Sequence, residues 1–283
     1  MAAASTPSKG ALASLLAAPF VAPALFAGAA LGVSVLARAR QQAPAKKKLR
    51  LLYWPGRGLM EVPRMMCGIA GVDVSDERLP TGAPEGAITE ANLGRMPVLV
   101  TPEGVSIGQS AAINHYVAET CCLLGKNATE AAAIVSFQEH FTEMNVAWSK
   151  LVPFGTEPTA EAFAAFFDET AAPDLAGVAV RATQPKRNLC WFVGRMERLV
   201  GAKGFAVGSA LSLADVLIFR VLADVVPADA INEKEPAWKR EPFASLARVN
   251  AVLAKCPKLQ AIIANVKANA GLQKYLAARP KFV

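Results

Sequence analysis

Two short stretches have residue types that suit the binding of a small peptide. In the first, the dipeptide Met96–Pro97 opens an apolar run, and an X–Pro bond favours an extended preceding residue and can be cis. Such a bend would turn the backbone of Met96 outward, where an extended peptide can pair with it. In the second, Gln109–Ser110 begins a helical run, whose free amides can hold a carboxylate. The alternative is a β-hairpin followed by a serine-capped helix.

The positive charge of the chain is concentrated near its N-terminal end. The formal net charge is +7, and residues 1–50 contain seven basic side chains and no acidic one. The rest of the chain is therefore neutral, which gives no basis for a nucleic-acid-binding body.

Residues 11–37 form an uncharged segment that is long enough to span a bilayer. The segment is dominated by alanine and contains Pro19 and Pro23, so insertion into a membrane would be marginal. A segment that is rich in Ala, Ser and Arg and has no acidic residue is typical of an organelle-targeting leader. A short apolar part followed by an acid-free part with arginines also suits a two-part plastid leader. We therefore expect residues 1–47 to be a leader with a basic linker. A permanent membrane anchor, with the body in a reducing compartment, and a disordered tail are the alternatives.

Cysteine and histidine spacing gives no sign of a metal site. The cysteines are odd in number, which favours free thiols in a reducing compartment over a disulfide framework. They are Cys67, Cys121, Cys122, Cys190 and Cys256. Neither His115 nor His140 has a second ligand at useful spacing, so both are interpreted as surface or packing residues.

The hydrophobic pattern changes from mixed to purely helical along the chain. The first part predicts a small mixed sheet with helices, in the order β-α-β then β-β-α. The second part has a long helical run over 129–151 and a fully apolar central helix over 213–225, which Ser212–Asp215 precedes as a capping box. The sequence therefore predicts an α/β domain over 48–121 and an all-helical domain over 122–283.

Individual elements are predicted from periodicity and from breaks at glycine and proline. In the first part these are strands at 49–54 and 72–79, helices at 61–70 and 110–119, a loop over 81–90 and a hairpin turning at 103–104. In the second part further helices are predicted over 160–169, 186–200, 243–256, 259–270 and 272–278.

Four segments in this order resemble the cytosolic glutathione transferase family, most of all its sigma-type members. They are LLYWPGRGLME (51–61), GRMPVL (94–99), GQSAAI (108–113) and GSALSLAD (208–215), and the ending YLAARP (275–280) is also similar. Each motif is weak or moderate alone, but their order and spacing are specific. The resemblance covers residues 48–283 and implies a thioredoxin-like N-terminal domain joined to an all-α domain, usually as a homodimer.

The resemblance places the thiol-activating tyrosine of the family at Tyr53. A free thiol has a pKa near ~8.5, and a phenol hydroxyl that donates to the sulfur stabilises the nucleophilic thiolate. The implied reaction is conjugation of glutathione, as co-substrate, to small hydrophobic electrophiles in detoxification, with peroxidase or isomerase activity as variants. The alternative is a strand-end aromatic residue with its hydroxyl in solvent.

The resemblance also implies which residues hold glutathione. Met96, behind a cis Pro97, would bind the cysteinyl backbone, and Gln109 and Ser110 would hold the γ-glutamyl end. Gly94–Arg95 would line the approach.

Three positions depart from the sigma-type pattern. Leu59 stands where the family has a second arginine, and Pro84 and Ile88 stand where its tryptophan and lysine reach the glycyl end. Because a lost charged contact is worth roughly 1.5–3 kcal/mol, losing two would weaken binding by orders of magnitude. Arg57 is a candidate to compensate, as are Arg78 and Arg95.

These departures motivate a second hypothesis, a non-catalytic transferase-like carrier or a scaffold attached to a membrane or membrane complex. The apolar segment 11–37 would supply the membrane contact. The acid that the family often brings across the dimer has no clean match, since Ser136 falls at that position with Glu139 nearby.

Overall fold

The computed structural model describes most of the chain after its N-terminal segment. The described residues are 48–80, 86–168, 187–227 and 237–280. Within these ranges no helix is long and apolar enough to cross a membrane. The predictions for residues 1–47, including the plastid leader and the membrane contact through 11–37, fall outside the described residues, as does Pro84.

A four-stranded mixed sheet with three helices forms the first part of the described chain. Its elements are β1 (Leu49–Tyr53), α1 (Glu61–Ala70), β2 (Val74–Arg78), α2 (Ala87–Glu90), β3 (Val98–Val100), β4 (Ser106–Gly108) and α3 (Ser110–Thr120). The strand order is β2-β1-β3-β4, with β1 parallel to β2 and antiparallel to β3, which is antiparallel to β4. This arrangement confirms the prediction of a thioredoxin-like domain.

The two faces of the sheet have different cores. On one face, α1 and α3 pack through apolar side chains at helical spacing, and the core there continues into the helical part of the chain. On the other face, Ile88 of α2 packs against a small cluster of Leu52, Val98 and Val100. The prediction of a loop over 81–90 was wrong for 87–90, because a helix of four residues leaves no periodicity in the sequence.

The second part of the described chain is helical throughout. Its helices are α4 (Ala128–Leu151), α5 (Ala160–Phe167), α6 (Leu189–Leu199), α7 (Leu213–Leu222), α8 (Leu246–Leu253), α9 (Pro257–Lys267) and α10 (Ala270–Ala278). The predicted central helix is α7, which is buried along nearly its whole length. Asp215 accepts hydrogen bonds from the backbone amides of Ser212 at 2.8 Å and Ala206 at 2.7 Å, and the capping box is confirmed.

The helix predicted over 243–256 is shorter than expected. A 3₁₀ turn spans Pro242–Ala244, with Phe243 at φ 46°, and α8 begins only after Ser245, whose side chain accepts from the Arg248 amide. Pro257 begins α9 rather than only ending the preceding helix. Its missing amide costs nothing in the first turn of a helix.

Helix α10 returns to the first part of the chain and packs on α1. The two helices approach closely at a pair of glycines, since a Cβ added at Gly271 would lie 2.5 Å from the carbonyl oxygen of Gly68. This approach brings Tyr275 and Arg279 over Glu61, which accepts from Tyr275 Oη at 3.1 Å and from Arg279 Nη1 at 2.9 Å. The end of the helical part is therefore fastened to the start of α1.

Candidate functional site

The register of the sheet brings three of the predicted segments to one edge. Tyr53 ends β1 next to the last residue that pairs with β3. Met96–Pro97 precedes β3, and the first residue of β3 pairs with the last residue of β4. Gln109–Ser110 follows β4 directly. Because β1 and β4 both run antiparallel to β3, the ends of β1 and β4 lie at the same edge as the start of β3.

The Met96–Pro97 peptide bond is cis, as the sequence predicts. A buried side chain that the sequence analysis missed, Asn92, joins this bond to the next segment. Its Nδ2 donates to the carbonyl oxygen of Pro97 at 2.9 Å, and its Oδ1 accepts from the amide of Gln109 at 3.3 Å. With only 4% of its surface exposed, Asn92 holds the segments Met96–Pro97 and Gln109–Ser110 together. A single asparagine in a turn gave no signal for this role.

Gln109 has an unusual backbone conformation at the start of α3. Its φ of 65° lies in the left-handed region, which is strained for a residue with a side chain. The next residue, Ser110, begins α3 and is half-buried. On the neighbouring turn Gly94 and Arg95 are exposed, and Arg95 Nε donates back to the Asn92 carbonyl at 3.2 Å.

The hydroxyl of Tyr53 lies against the loop that leads into α1. A Cβ added at Gly58 would contact Tyr53 Oη and would lie 2.6 Å from its Cε1. Gly58 also has a φ of +43°, so its backbone conformation and the space beneath it both require glycine. Tyr53 itself is half-buried, and its phenol is held in place by this loop.

A cavity of about 330 Å³ opens between the loop after β1, the start of α3 and helices α4 and α7. Its wall includes Ser110 from the sheet edge and several apolar side chains. The apolar lining residues are Leu59, Val62, Ala111, Phe141, Trp148, Leu217, Val221, Pro242 and Phe243. Leu151 lines a different pocket, and Phe154 is fully exposed.

Polar and charged side chains form the rest of this cavity wall, and one of them, Arg57, belongs to a buried ionic cluster. Arg57 Nη1 donates to Asp224 Oδ2 at 2.9 Å, and Arg279 Nη1 donates to Asp224 Oδ1 at 3.1 Å. Burial, followed by the nearby charge of Arg220, lowers the pKa of Arg57 to about 10. Burial also opposes the charge on Arg279, but the carboxylates of Asp224 and Glu61 outweigh it and raise the pKa of Arg279.

The positions that depart from the family pattern have separate environments. Leu59 is 53% exposed and lines the cavity, whereas Ile88 packs beneath the sheet. Arg78 donates to Asp76 and to the carbonyl oxygen of Pro55. Arg57 is paired with Asp224 at the cavity. A compensating contact from Arg57 to glutathione stays a prediction.

The remaining residues named from the sequence lie away from this cavity. Ser136 and Glu139 are exposed on α4, and Ser136 Oγ donates to the Ala133 carbonyl at 2.7 Å. In the described part of the chain no cluster of His, Cys, Asp and Glu is arranged to hold a metal ion. Each of the five cysteines is a free thiol, and Cys122 is the exposed one.

Two family models match the described chain. The glutathione S-transferase N-terminal domain matches residues 48–119, and the glutathione S-transferase C-terminal domain matches residues 179–279. The first range contains the whole sheet and the second contains the helices from α6 to α10.

Individual relatives cover most of the chain. A probable glutathione S-transferase 6 of Caenorhabditis elegans is 27% identical over 82% of this chain and 97% of its own length. An S-crystallin 2 of Octopus vulgaris is 22% identical over 81% and 95%. Among solved structures, the monomeric Na-GST-3 of Necator americanus has a TM-score of 0.61 at 23% identity, covering 82% of this chain and 98% of its own.

Proposed function

The chain belongs to the glutathione S-transferase family, and we propose that Tyr53 activates the thiol of glutathione for attack on small hydrophobic electrophiles. One observation carries this proposal. The ends of β1 and β4 and the start of β3 meet at one sheet edge, beside a cavity whose wall is partly apolar.

Each part of glutathione has a group of matching chemistry at this edge. The backbone of Met96 suits the cysteinyl unit, because an extended peptide pairs with main-chain donors and acceptors. The first amides of α3 at Gln109–Ser110 suit the γ-glutamyl carboxylate. The hydroxyl of Tyr53 then donates to the sulfur and stabilises the thiolate, which attacks an electrophilic carbon held against the apolar wall. Of the predicted contacts, Gly94 and Arg95 would line the approach from the preceding turn.

Turnover of 1-chloro-2,4-dinitrobenzene with glutathione by the full chain tests this proposal. The Tyr53→Phe variant removes the donor and should lower kcat/KM by about 10²-fold, the usual effect of removing one such donor. Tyr116→Phe on α3 is the matched control, since Tyr116 packs against the core. Equal turnover by wild type and Tyr53→Phe would remove the assigned role of this residue.

A second function, that of a non-catalytic transferase-like carrier or scaffold, is favoured by two replaced glutathione contacts. Leu59 offers no charge at the cavity, and Ile88 is occupied in the sheet core. A carrier or scaffold of this kind would show no glutathione binding by calorimetry and no turnover of any electrophile, and retention on a glutathione resin would argue against it. Turnover that depends on Tyr53 would exclude this function.

We also propose that the protein is a homodimer. Leu93 precedes the site with 81% of its surface exposed and a φ of 53°, and an exposed leucine held in a strained turn suits burial by a partner surface. Light scattering after gel filtration should give a dimer for the wild type and a smaller species for Leu93→Asp. Leu199→Asp on α6, which is also exposed, should leave the mass unchanged. A monomeric wild type would contradict the proposal.

For residues 1–47 we propose a plastid-targeting leader that is removed on import. The acid-free, basic and alanine-rich composition supports this proposal. Mass spectrometry of the protein isolated from its cells should find an N-terminus close to Lys48. An intact N-terminus in a membrane fraction would instead support the anchor.

A further inference from the structure

Among the described residues that line the cavity, more side chains are cationic than anionic. Its ionisable lining residues are Arg57, Arg220, Lys239 and Glu241. The carboxylate of Glu241 accepts from the backbone amide of Leu246 at 2.8 Å and so caps the start of α8. An anionic group on a bound molecule would therefore meet a positive wall.

The nearest buried acid, Asp224, is already shared by two of the arginines. Its side chain is 2% exposed and accepts from Arg57 at 2.9 Å and from Arg279 at 3.1 Å. Arg220 Nε lies 3.7 Å from Asp224 Oδ2, beyond hydrogen-bond range. This Nε is buried and has no hydrogen-bond partner among the described residues. Arg220 therefore forms an ion pair with Asp224 without a hydrogen bond from its Nε, and its side chain also lines the cavity.

Apolar side chains surround Arg220 in the cavity wall. Leu217 and Val221 lie beside it on α7, and Trp148 and Phe243 line the same cavity. A planar guanidinium matches a carboxylate in geometry and charge, and the match strengthens where water is scarce. Burial lowers the pKa of Arg57 to about 10, and the positive charge of Arg220 acts in the same direction.

On the basis of the proposed function, we propose that this cavity selects electrophiles with a carboxylate attached to an apolar or aromatic body, and that Arg220 binds the carboxylate. In the test reaction with 4-chloro-3-nitrobenzoate, the sulfur of glutathione forms a C–S bond to the chlorine-bearing carbon. The C–Cl bond breaks, chloride leaves and the thiol proton passes to solvent. The carboxylate keeps all its bonds, but it lies para to the reacting carbon and activates the ring less than the ester does. The two electrophiles therefore differ in kcat, and binding is judged from how each variant changes KM for each electrophile relative to wild type.

The experiment compares 4-chloro-3-nitrobenzoate with its uncharged methyl ester, using the full chain. KM for each electrophile is measured at saturating glutathione in the wild type, Arg220→Met, Arg220→Lys and the control Arg198→Met, which changes an exposed arginine on α6. We expect the wild type to have the lower KM for the carboxylate. Arg220→Met should raise that KM at least tenfold and leave the ester unchanged, Arg220→Lys should restore part of the difference, and Arg198→Met should behave as wild type.

Other outcomes would overturn the proposal, and they separate it from the proposed function. The wild type could turn over both electrophiles with equal KM, or Arg220→Met could raise KM equally for both. Either outcome would leave the transferase activity intact and remove the proposed selectivity for a carboxylate. In a second series at fixed electrophile and varied glutathione, a rise in KM for glutathione in Arg220→Met would mean that Arg220 binds a carboxylate of glutathione instead. If neither electrophile reacted, the proposed function would fail together with this one.

Discussion

The two sides of the cavity are held together by different kinds of interaction. At the sheet edge, backbone groups from neighbouring strands are fixed by one buried amide, Asn92. Behind the other side lies an ionic cluster of Arg57, Asp224, Arg279 and Glu61, here called the arginine wall. Its charged side chains pair across large separations in sequence, with Asp224 167 residues from Arg57 and Arg279 218 residues from Glu61. Substitutions at the sheet edge should therefore change binding and rate, whereas substitutions in the arginine wall should change the free energy of unfolding.

The largest effect is expected at the centre of the arginine wall. Asp224→Leu would leave Arg57 and Arg279 buried without their shared carboxylate, and breaking a buried pair costs about 3–5 kcal/mol. Urea unfolding followed by circular dichroism measures the loss. The control is Asp73→Asn, whose 71% exposed side chain pairs with Lys48 and should cost under about 1 kcal/mol. An equal loss of unfolding free energy in Asp224→Leu and Asp73→Asn would contradict this prediction.

At the sheet edge, Gly58→Ala should affect the rate more than stability. The new Cβ would collide with the Tyr53 phenol at a positive φ and would move its hydroxyl, so kcat/KM should fall about 10²-fold if the hydroxyl activates the thiol. Gly56→Ala is the matched control, because a Cβ there meets nothing within 4 Å. Full activity in Gly58→Ala would separate Tyr53 from catalysis.

Asn92→Ala tests whether one amide positions both peptide-binding segments. Loss of its bonds to Pro97 and Gln109 should raise KM for glutathione about tenfold, equivalent to ~1.4 kcal/mol, with a smaller effect on kcat. Asn250→Ala, an exposed site on α8, should leave KM unchanged. A purely structural role would lower the melting temperature without changing KM.

The smallest effect concerns the link between α10 and α1. Burial, with the charge of Glu61, raises the pKa of Tyr275, so the folded state keeps this proton at a pH where the unfolded chain, with a pKa near ~10, loses it. Stability from this source is present at neutral pH and falls as pH rises. Compared with Tyr275→Phe, the wild type should lose about 1 kcal/mol between pH 9 and 10.5. If the free energies of unfolding of the wild type and Tyr275→Phe changed equally with pH, this prediction would be contradicted.

The same contrast explains what the sequence could predict. Tyr53, Met96–Pro97 and Gln109–Ser110 belong to short motifs whose geometry follows from neighbouring residues, and the sheet brings them together. The arginine wall could not be found in this way, because pairs such as Arg57 and Asp224 meet only when the helical part packs on the sheet. Ile88 stands where the family has a glutathione contact, but in the structure it is packed beneath the sheet. This position depends on a four-residue helix that leaves no periodic pattern in the sequence.

The contact of Arg279 with both Glu61 and Asp224 sets an order in time for a newly made chain. Translation proceeds from the N-terminus at about 5–20 residues per second. The four strands are complete once Gly108 has been added, but Arg279 follows on the order of 10–30 s later at that speed. Until then, the strands of the sheet edge are complete in a chain whose last arginine is still to be synthesised.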